Sequence, residues 1–209
     1  MKLSKKEIEK SERKWRLNLI NSVSGIKPAN LIGTKSVDGI DNLAIFSSVV
    51  HLGSNPAQFG FVVRPISDVP RDTYVNIEQT KYYTINSISK NYIKKAHYTS
   101  AKFDKSVSEF EKIKIKKVII DNFYAPFVKD SSIKIGLKHI ESINLPNKCK
   151  FIIGSVELLI FPDNSINKIG QIDLSSFSNV GISGLNTYYG LNILETFPYV
   201  RINEIPIFE

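Results

Sequence analysis

Apolar positions change their rhythm near Pro28. Before it, Ile8, Trp15 and Leu19 recur at i, i+7 and i+11, which places them on one helical face. Ser4-Lys-Lys-Glu7 reads as a capping box that opens this helix, and Gly25, with Pro28 soon after, reads as its stop. The expectation is an N-terminal docking helix over 1–25 with a basic outer face. A basic helix of this kind also suits a membrane surface. After Pro28 the pattern is that of strands. Asn30–Thr34 is a candidate strand, Asp38-Gly39 a turn, and Leu43–Val50 a second strand, together a hairpin. Gly53–Pro56 is another turn and Gln58–Val63 a third strand. The first half therefore reads as an antiparallel meander.

Arg64-Pro65 ends that strand, and Ile66–Pro70 reads as a loop. Arg71-Asp72-Thr73 stands before a short helical run, Tyr74–Glu78, with Asp72 or Thr73 as N-cap. Lys81–Asn86 reads as a strand and Ser89–Ala96 as a short helix. Lys112–Lys116 alternates strictly, the mark of a half-exposed strand. Ser132–Ile143 and Lys150–Phe161 are longer strands. From Leu174 the chain reads as loop, closing with a strand at Tyr199–Ile202. Many short strands and few helices predict a mainly β protein, a β-barrel with short helical insertions. One domain spans 1–209, divided into the N-terminal helix (1–25), a barrel core (30–161) and a C-terminal extension (162–209).

Composition narrows the possibilities. With 42% hydrophobic and 23% charged residues, the chain is neither disordered nor built of membrane spans. The charged start, Met1-Lys-Leu-Ser-Lys-Lys-Glu7, is not a signal peptide, and no long apolar run follows. The expectation is a soluble, cytoplasmic protein. One cysteine, Cys149, excludes an internal disulfide; Lys148 and Lys150 favour its thiolate, but nothing marks a resolving partner. Three histidines and one cysteine argue against structural zinc, and His51 and His139 read as structural or surface residues. No G-x-G occurs, so neither a dinucleotide fingerprint nor a P-loop is present, and there is no G-x-S-x-G elbow.

The net charge of +8 is concentrated in 1–16 and 90–117. A solvated lysine surface accounts for it. The alternative is a basic nucleic-acid-binding barrel in which Tyr82, Tyr83 and Tyr98 stack bases. A third use of positive charge is an anionic ligand. Ser47 and Ser48 interrupt an apolar strand, Arg64 ends the next, and Arg71-Asp72-Thr73 opens a helix. A helix start offers free N–H groups and the positive end of the dipole, so these residues would suit a phosphorylated ligand. Equally, Asp72 and Thr73 could simply cap the helix while Arg64 pairs with Asp68.

Several segments in order resemble one family. Asn42-Leu-Ala-Ile-Phe-Ser-Ser48, Asn55-Pro56, Phe61-Val-Val-Arg64-Pro65 and Arg71-Asp-Thr-Tyr-Val-Asn-Ile77 are similar to the flavin reductase-like, FMN-binding split-barrel family. So are His97-Tyr-Thr-Ser-Ala101, Ser108-Glu-Phe110, Ala125-Pro126 and Ile152-Ile-Gly-Ser-Val156. The resemblance runs from about Asn30 to Phe161. It implies a six-stranded, Greek-key-like split barrel that works as a homodimer, with FMN near the dimer interface. Carried over by position, Asn42, Ala44 and Ile45 would border the flavin ring. Ser47, Ser48, Arg64, Arg71 and Thr73 would border the phosphate and ribityl chain. His97 and Tyr98 could line the face where a nicotinamide stacks; a buried core role suits them equally. Tyr188 and Tyr189 read as surface-loop residues that could alternatively reach the flavin or a partner subunit.

Two departures stand out. Ile45 occupies a position where family members often have Pro, and so keeps an N–H. Arg71 stands where they often have Lys, and offers two donors in place of one charge. The implied activity is that of an oxidoreductase passing electrons from NADH or NADPH through FMN to a flavin or another small acceptor. The alternative is an FMN-binding electron carrier without catalysis.

Overall fold

The computed structural model describes residues 1–66 and 71–208. The capping box forms as read: Ser4 N–H donates to Glu7 Oε2 at 2.7 Å. The single helix does not. The chain turns extended at Ser11, whose hydroxyl donates to the Ile8 carbonyl at 2.6 Å. Two helices result, α1 (Lys5–Lys10) and α2 (Arg13–Ser22). Glu12 restarts the second by accepting the N–H groups of Lys14 and Trp15, each at 2.8 Å. Neither helix contains a buried residue, and Trp15 is 44% exposed, so the apolar stripe does not dock on this chain's own core. Gly25 takes φ +81°, a left-handed stop.

The strands are β1 (Lys27–Pro28), β2 (Asn30–Lys35), β3 (Asp41–Phe46), β4 (Val50–Ser54) and β5 (Ala57–Val63). After α3 (Asp72–Thr80) come β6 (Tyr82–Ser87), α4 (Ile93–Tyr98) and α5 (Glu109–Lys112). Then follow β7 (Lys117–Val118), β8 (Phe127–Val128), β9 (Lys134–Asn144), β10 (Lys150–Ile160), β11 (Val180–Ser183) and β12 (Thr187–Gly190). Seven of these strands make one antiparallel sheet in the order β3-β2-β6-β9-β10-β5-β4.

This order explains the split barrel. β3 and β4 follow each other in sequence but stand at opposite edges of the sheet. Ser47, Ser48 and Val49 alone join them, so the sheet must curl until its edges approach. Ser48 closes the split: its hydroxyl accepts the Val62 N–H at 3.0 Å and donates to the Val62 carbonyl at 3.2 Å. Beside it the Phe46 and Phe61 rings meet edge to face, centroids 5.0 Å apart. Ile32, Phe61, Val63, Ile77, Tyr83, Ile85 and Leu137 fill the interior. A second cluster, including Leu31, Leu43, Ile88, Ala96, Phe110 and Ile182, packs outside β2 and β3.

The mainly β architecture stands, with four corrections. The run Leu43–Val50 is two strands, which is why the barrel sheet has seven strands where six were expected, and the first half is not a meander. The segment 112–116 is no strand: α5 ends at Lys112, Lys114 takes φ +58°, and Ile115 turns into the core. Burial of Phe110 and Ile115 outweighs the short alternation. The tail forms β11, which pairs with β1, and β12, which pairs with β11. Tyr199–Ile202 is not a strand; a short 3-10 turn occupies Ile202–Glu204. The reading of 67–70 as loop, with the Arg64–Asp68 pair, falls outside the described residues. Among the described residues no helix is long and apolar enough to cross a membrane.

Candidate functional site

β3 is an edge strand, so every second N–H points away from its partner β2. Leu43 is one of these. Its N–H donates 2.9 Å to Glu109 Oε2, supplied by α5. The register with β2 is unbroken, so Ile45, two residues on, presents its N–H in the same direction. Among the described residues that N–H has no partner. Glu109 thus blocks one position of the edge and leaves the next open. Burial pushes the Glu109 carboxyl above its ordinary value; the Leu43 N–H opposes this, and the Asp72 charge adds to it.

Ala44 faces the barrel side of β3, opposite Ile32, whereas Ile45 packs against the outer cluster. Asn42 lies deeper. Its Nδ2 donates to Thr73 Oγ1 at 3.0 Å and to Thr34 Oγ1 at 3.2 Å, and Asn76 Nδ2 donates to Thr34 Oγ1 at 3.0 Å. All four residues are buried. This network pins the start of α3 to β2 and β3. Asn42 and Thr73 therefore meet, as their assignment to one site requires, but their side chains are turned inward onto each other.

The N-cap of α3 is Arg71, not Asp72 or Thr73, and no side chain caps the helix. Thr73 cannot cap, because its hydroxyl sits in the Asn42 network. Arg71 is half-buried, and its Nε is buried with no partner among the described residues. Asp72 opens the helix, and burial, reinforced by the Asp104 charge, raises its pKa. It lines a cleft of about 250 Å³ with Asp38, Asp41, Asn42, Gln79 and Lys105. Carboxylates predominate there and Arg71 is not part of its wall, so the cleft does not suit a phosphate.

Ser47 and Ser48 lie in the β3–β4 link rather than on a strand. The Ser48 proton is committed to Val62, whereas Ser47 is half-buried with no side-chain partner among the described residues. Arg64 is exposed just past β5. His97 and Tyr98, both on α4, meet edge to face with ring centroids 5.9 Å apart but differ in surroundings. His97 Nδ1 lies 3.1 Å from the Tyr188 hydroxyl, while Tyr98 is 57% exposed. Tyr188 is thus no loop residue: it sits on β12 and packs against the same cluster as Ile45. Burial raises the Tyr188 pKa, and its contact with Nδ1 fixes the His97 ring.

Tyr83 is completely buried and cannot stack a base, and half-buried Tyr82 meets Phe123 edge to face, centroids 5.5 Å apart. His139 is structural: its Nε2 lies 2.9 Å from Ser142 Oγ, and burial lowers its pKa. Sequence reasoning missed the function of Glu109, which entered only within a family-like segment. The pairing of Tyr188 with His97 left no signal at all.

The described residues thus include an open edge N–H on β3, a buried unpartnered Arg71 Nε at the start of α3 and a half-buried Ser47 hydroxyl in the β3–β4 link. The chain belongs to the flavin reductase like domain family, whose model matches residues 26–168. It is similar to a split-barrel-domain protein from Shewanella frigidimarina NCIMB 400 whose assignment as a flavin reductase is provisional. The two share 43% identity with a TM-score of 0.91, over 96% of this chain and 100% of that one. Its fold is also that of nitrilotriacetate monooxygenase component B from Bacillus cereus, at 18% identity and TM-score 0.82 over 95% and 98% of the two chains. An FMN-binding protein from Thermus thermophilus has the same fold at 12% identity and TM-score 0.68, over 84% and 91%.

Proposed function

We propose that the chain is a cytoplasmic, homodimeric flavin reductase that holds FMN and passes electrons from NADH or NADPH to a free flavin or another small acceptor. The observation that carries this reading is the open N–H of Ile45 on the β3 edge. A flavin ring has carbonyl acceptors along its polar edge, and an unpaired strand N–H is a directional donor to them. The Pro common at this position in the family would remove that donor.

Bound FMN would supply the hydride chemistry. The protein's part is to bind, orient and shield. Ile45 holds the ring edge, and Ala44 leaves room beside it. Glu109 occupies Leu43, so the edge cannot recruit a foreign strand along its length. Arg71 and Ser47 bring the free donors that a phosphate, which only accepts, requires. Asn42 and Thr73 act one step back by fixing the helix start that carries Arg71. Ser48 keeps the split closed. Tyr188 holds the His97 ring through Nδ1, and His97 would border the open side of the flavin where a nicotinamide would stack, with Tyr98 at the rim.

The test is a visible spectrum of the purified protein with FMN, then with NADH or NADPH under nitrogen. Flavin absorption that bleaches with either nucleotide supports the proposal. Bound flavin that neither nucleotide bleaches would reassign the protein as a carrier, and failure to bind FMN would overturn the reading altogether.

A further inference from the structure

The segment after β12, residues 191–208, has no place in the chain's own fold. It carries no helix or strand apart from one short 3-10 turn, and every described residue in it is exposed. Yet it is apolar. Leu194 is 96% exposed, Phe197 71%, Tyr199 90% and Ile202 90%. Scattered surface hydrophobics need no explanation, but a continuous run of them does. Its root touches the body, where Ile193 and Thr196 help line a shallow cleft with the 164–173 segment.

We infer that this arm is an exchange element that packs on the body of a second copy of the same chain. The inference rests on the homodimer proposed above and names what holds it. Two observations favour another copy over a different partner. The first is charge: from 191 to the last residue there are three Glu and one Arg, a net −2, whereas the rest of the chain carries +10. Two bodies of that charge repel, and an acidic apolar arm is the part of the molecule suited to bridge them. The second is that the body carries bare apolar groups of its own. Trp15 and Ile20 on α2 and Ile140, Ile143 and Leu159 on the long strands β9 and β10 are exposed apolar groups on the same chain. In a two-fold dimer one arm-to-body contact occurs twice. The arm's three aromatics, Phe197, Tyr199 and Phe208, would bury about 150–250 Å² each, on the order of 600 Å² per arm. Two arms give roughly 1,200 Å² from aromatics alone, the lower end of the stable-dimer range. The stripe on α2 that fails to dock within the chain then gains a counterpart.

The experiment uses the full chain. Sedimentation equilibrium gives the dimer dissociation constant for wild type and for Leu194→Asp/Phe197→Asp. Both sites are exposed in the single chain, so its fold, checked by circular dichroism, is retained. In parallel, a mixture of ¹⁴N- and ¹⁵N-labelled protein is coupled with a zero-length carboxyl-to-amine reagent, and peptides joining Glu195 or Glu204 to body lysines are analysed by mass. The expected result is a wild-type dimer, cross-links of mixed isotope, and a dissociation constant weakened on the order of 30-fold or more, as for a buried anchor. A dimer of unchanged affinity in the variant, with same-isotope arm cross-links, would overturn the arm exchange and leave the homodimer standing. A wild type that stays monomeric would overturn both.

Discussion

Replacing Arg71 with Ala should move stability and ligand affinity in opposite directions. Arg71 Nε is buried and unpartnered among the described residues, so without ligand it contributes a desolvation cost and no compensating bond. Removing it should leave the unfolding free energy unchanged or raise it by about 1 kcal/mol. With FMN bound, the same donor would face a phosphate. A hydrogen bond to a charged group is worth about 1.5–3 kcal/mol, or roughly 10–150-fold in affinity. Arg71→Lys keeps the charge but loses the fork, and should fall between wild type and Ala.

The assay is quenching of flavin fluorescence, titrated with FMN and with riboflavin, which shares the ring and ribityl chain but lacks the phosphate. Arg71→Ala should weaken FMN and leave riboflavin nearly unchanged, so that the wild-type preference for FMN collapses in the variant. Urea unfolding without flavin supplies the stability arm. Equal losses for both flavins would place Arg71 elsewhere than at the phosphate. A large loss of stability in the apo protein would show that its Nε has a structural partner.

Thr73→Val should act on the fold rather than on the phosphate. It strands one Asn42 N–H in the interior, and urea unfolding should show a loss of about 1–3 kcal/mol that Thr73→Ser restores. Glu109→Ala frees the Leu43 N–H and should cost a similar amount, about 1–3 kcal/mol, while Glu109→Gln keeps an acceptor. The Glu109 pKa is raised on folding, so the native state holds its proton longer than the unfolded chain does. Stability attributable to this group is therefore highest at acid pH and declines as pH rises from the ordinary carboxylate value through the raised one. Unfolding measured across that window should show the decline in wild type and its absence in Glu109→Gln. Gly154→Ala would bring a methyl to 2.2 Å from the Tyr83 hydroxyl, and overpacking of this kind costs about 1–3 kcal/mol. Tyr83→Phe removes that oxygen, which lacks a partner among the described residues, and a double-mutant cycle by thermal unfolding should show partial recovery.

What the sequence disclosed follows from the range of the interactions involved. β9 and β10 are eleven residues each, and their apolar runs show plainly because they pair with each other and lie inside the sheet. The capping box at Ser4 and the left-handed stop at Gly25 were equally legible, because both depend on neighbours within four residues. The edges were not. In the run Leu43–Val50 the two serines break the apolar pattern but do not say that the sheet turns over there; that depends on where Val62 lies. The N-cap of α3 was misassigned because Asn42, 31 residues away, draws the Thr73 hydroxyl inward. Glu109 was hidden more deeply still, since its partner is a backbone N–H 66 residues distant and a backbone leaves no mark in the sequence. The candidate site is made mostly of such contacts. In the proposed site Ile45 would act through its N–H, whereas Leu43 is covered by Glu109 and Thr73 is tied to Asn42 at the start of α3. A side-chain inventory names candidate members of such a site but does not tell which of their atoms the fold already engages. Residues that look like ligands can have their side chains committed to scaffold contacts, and an open donor can belong to an isoleucine.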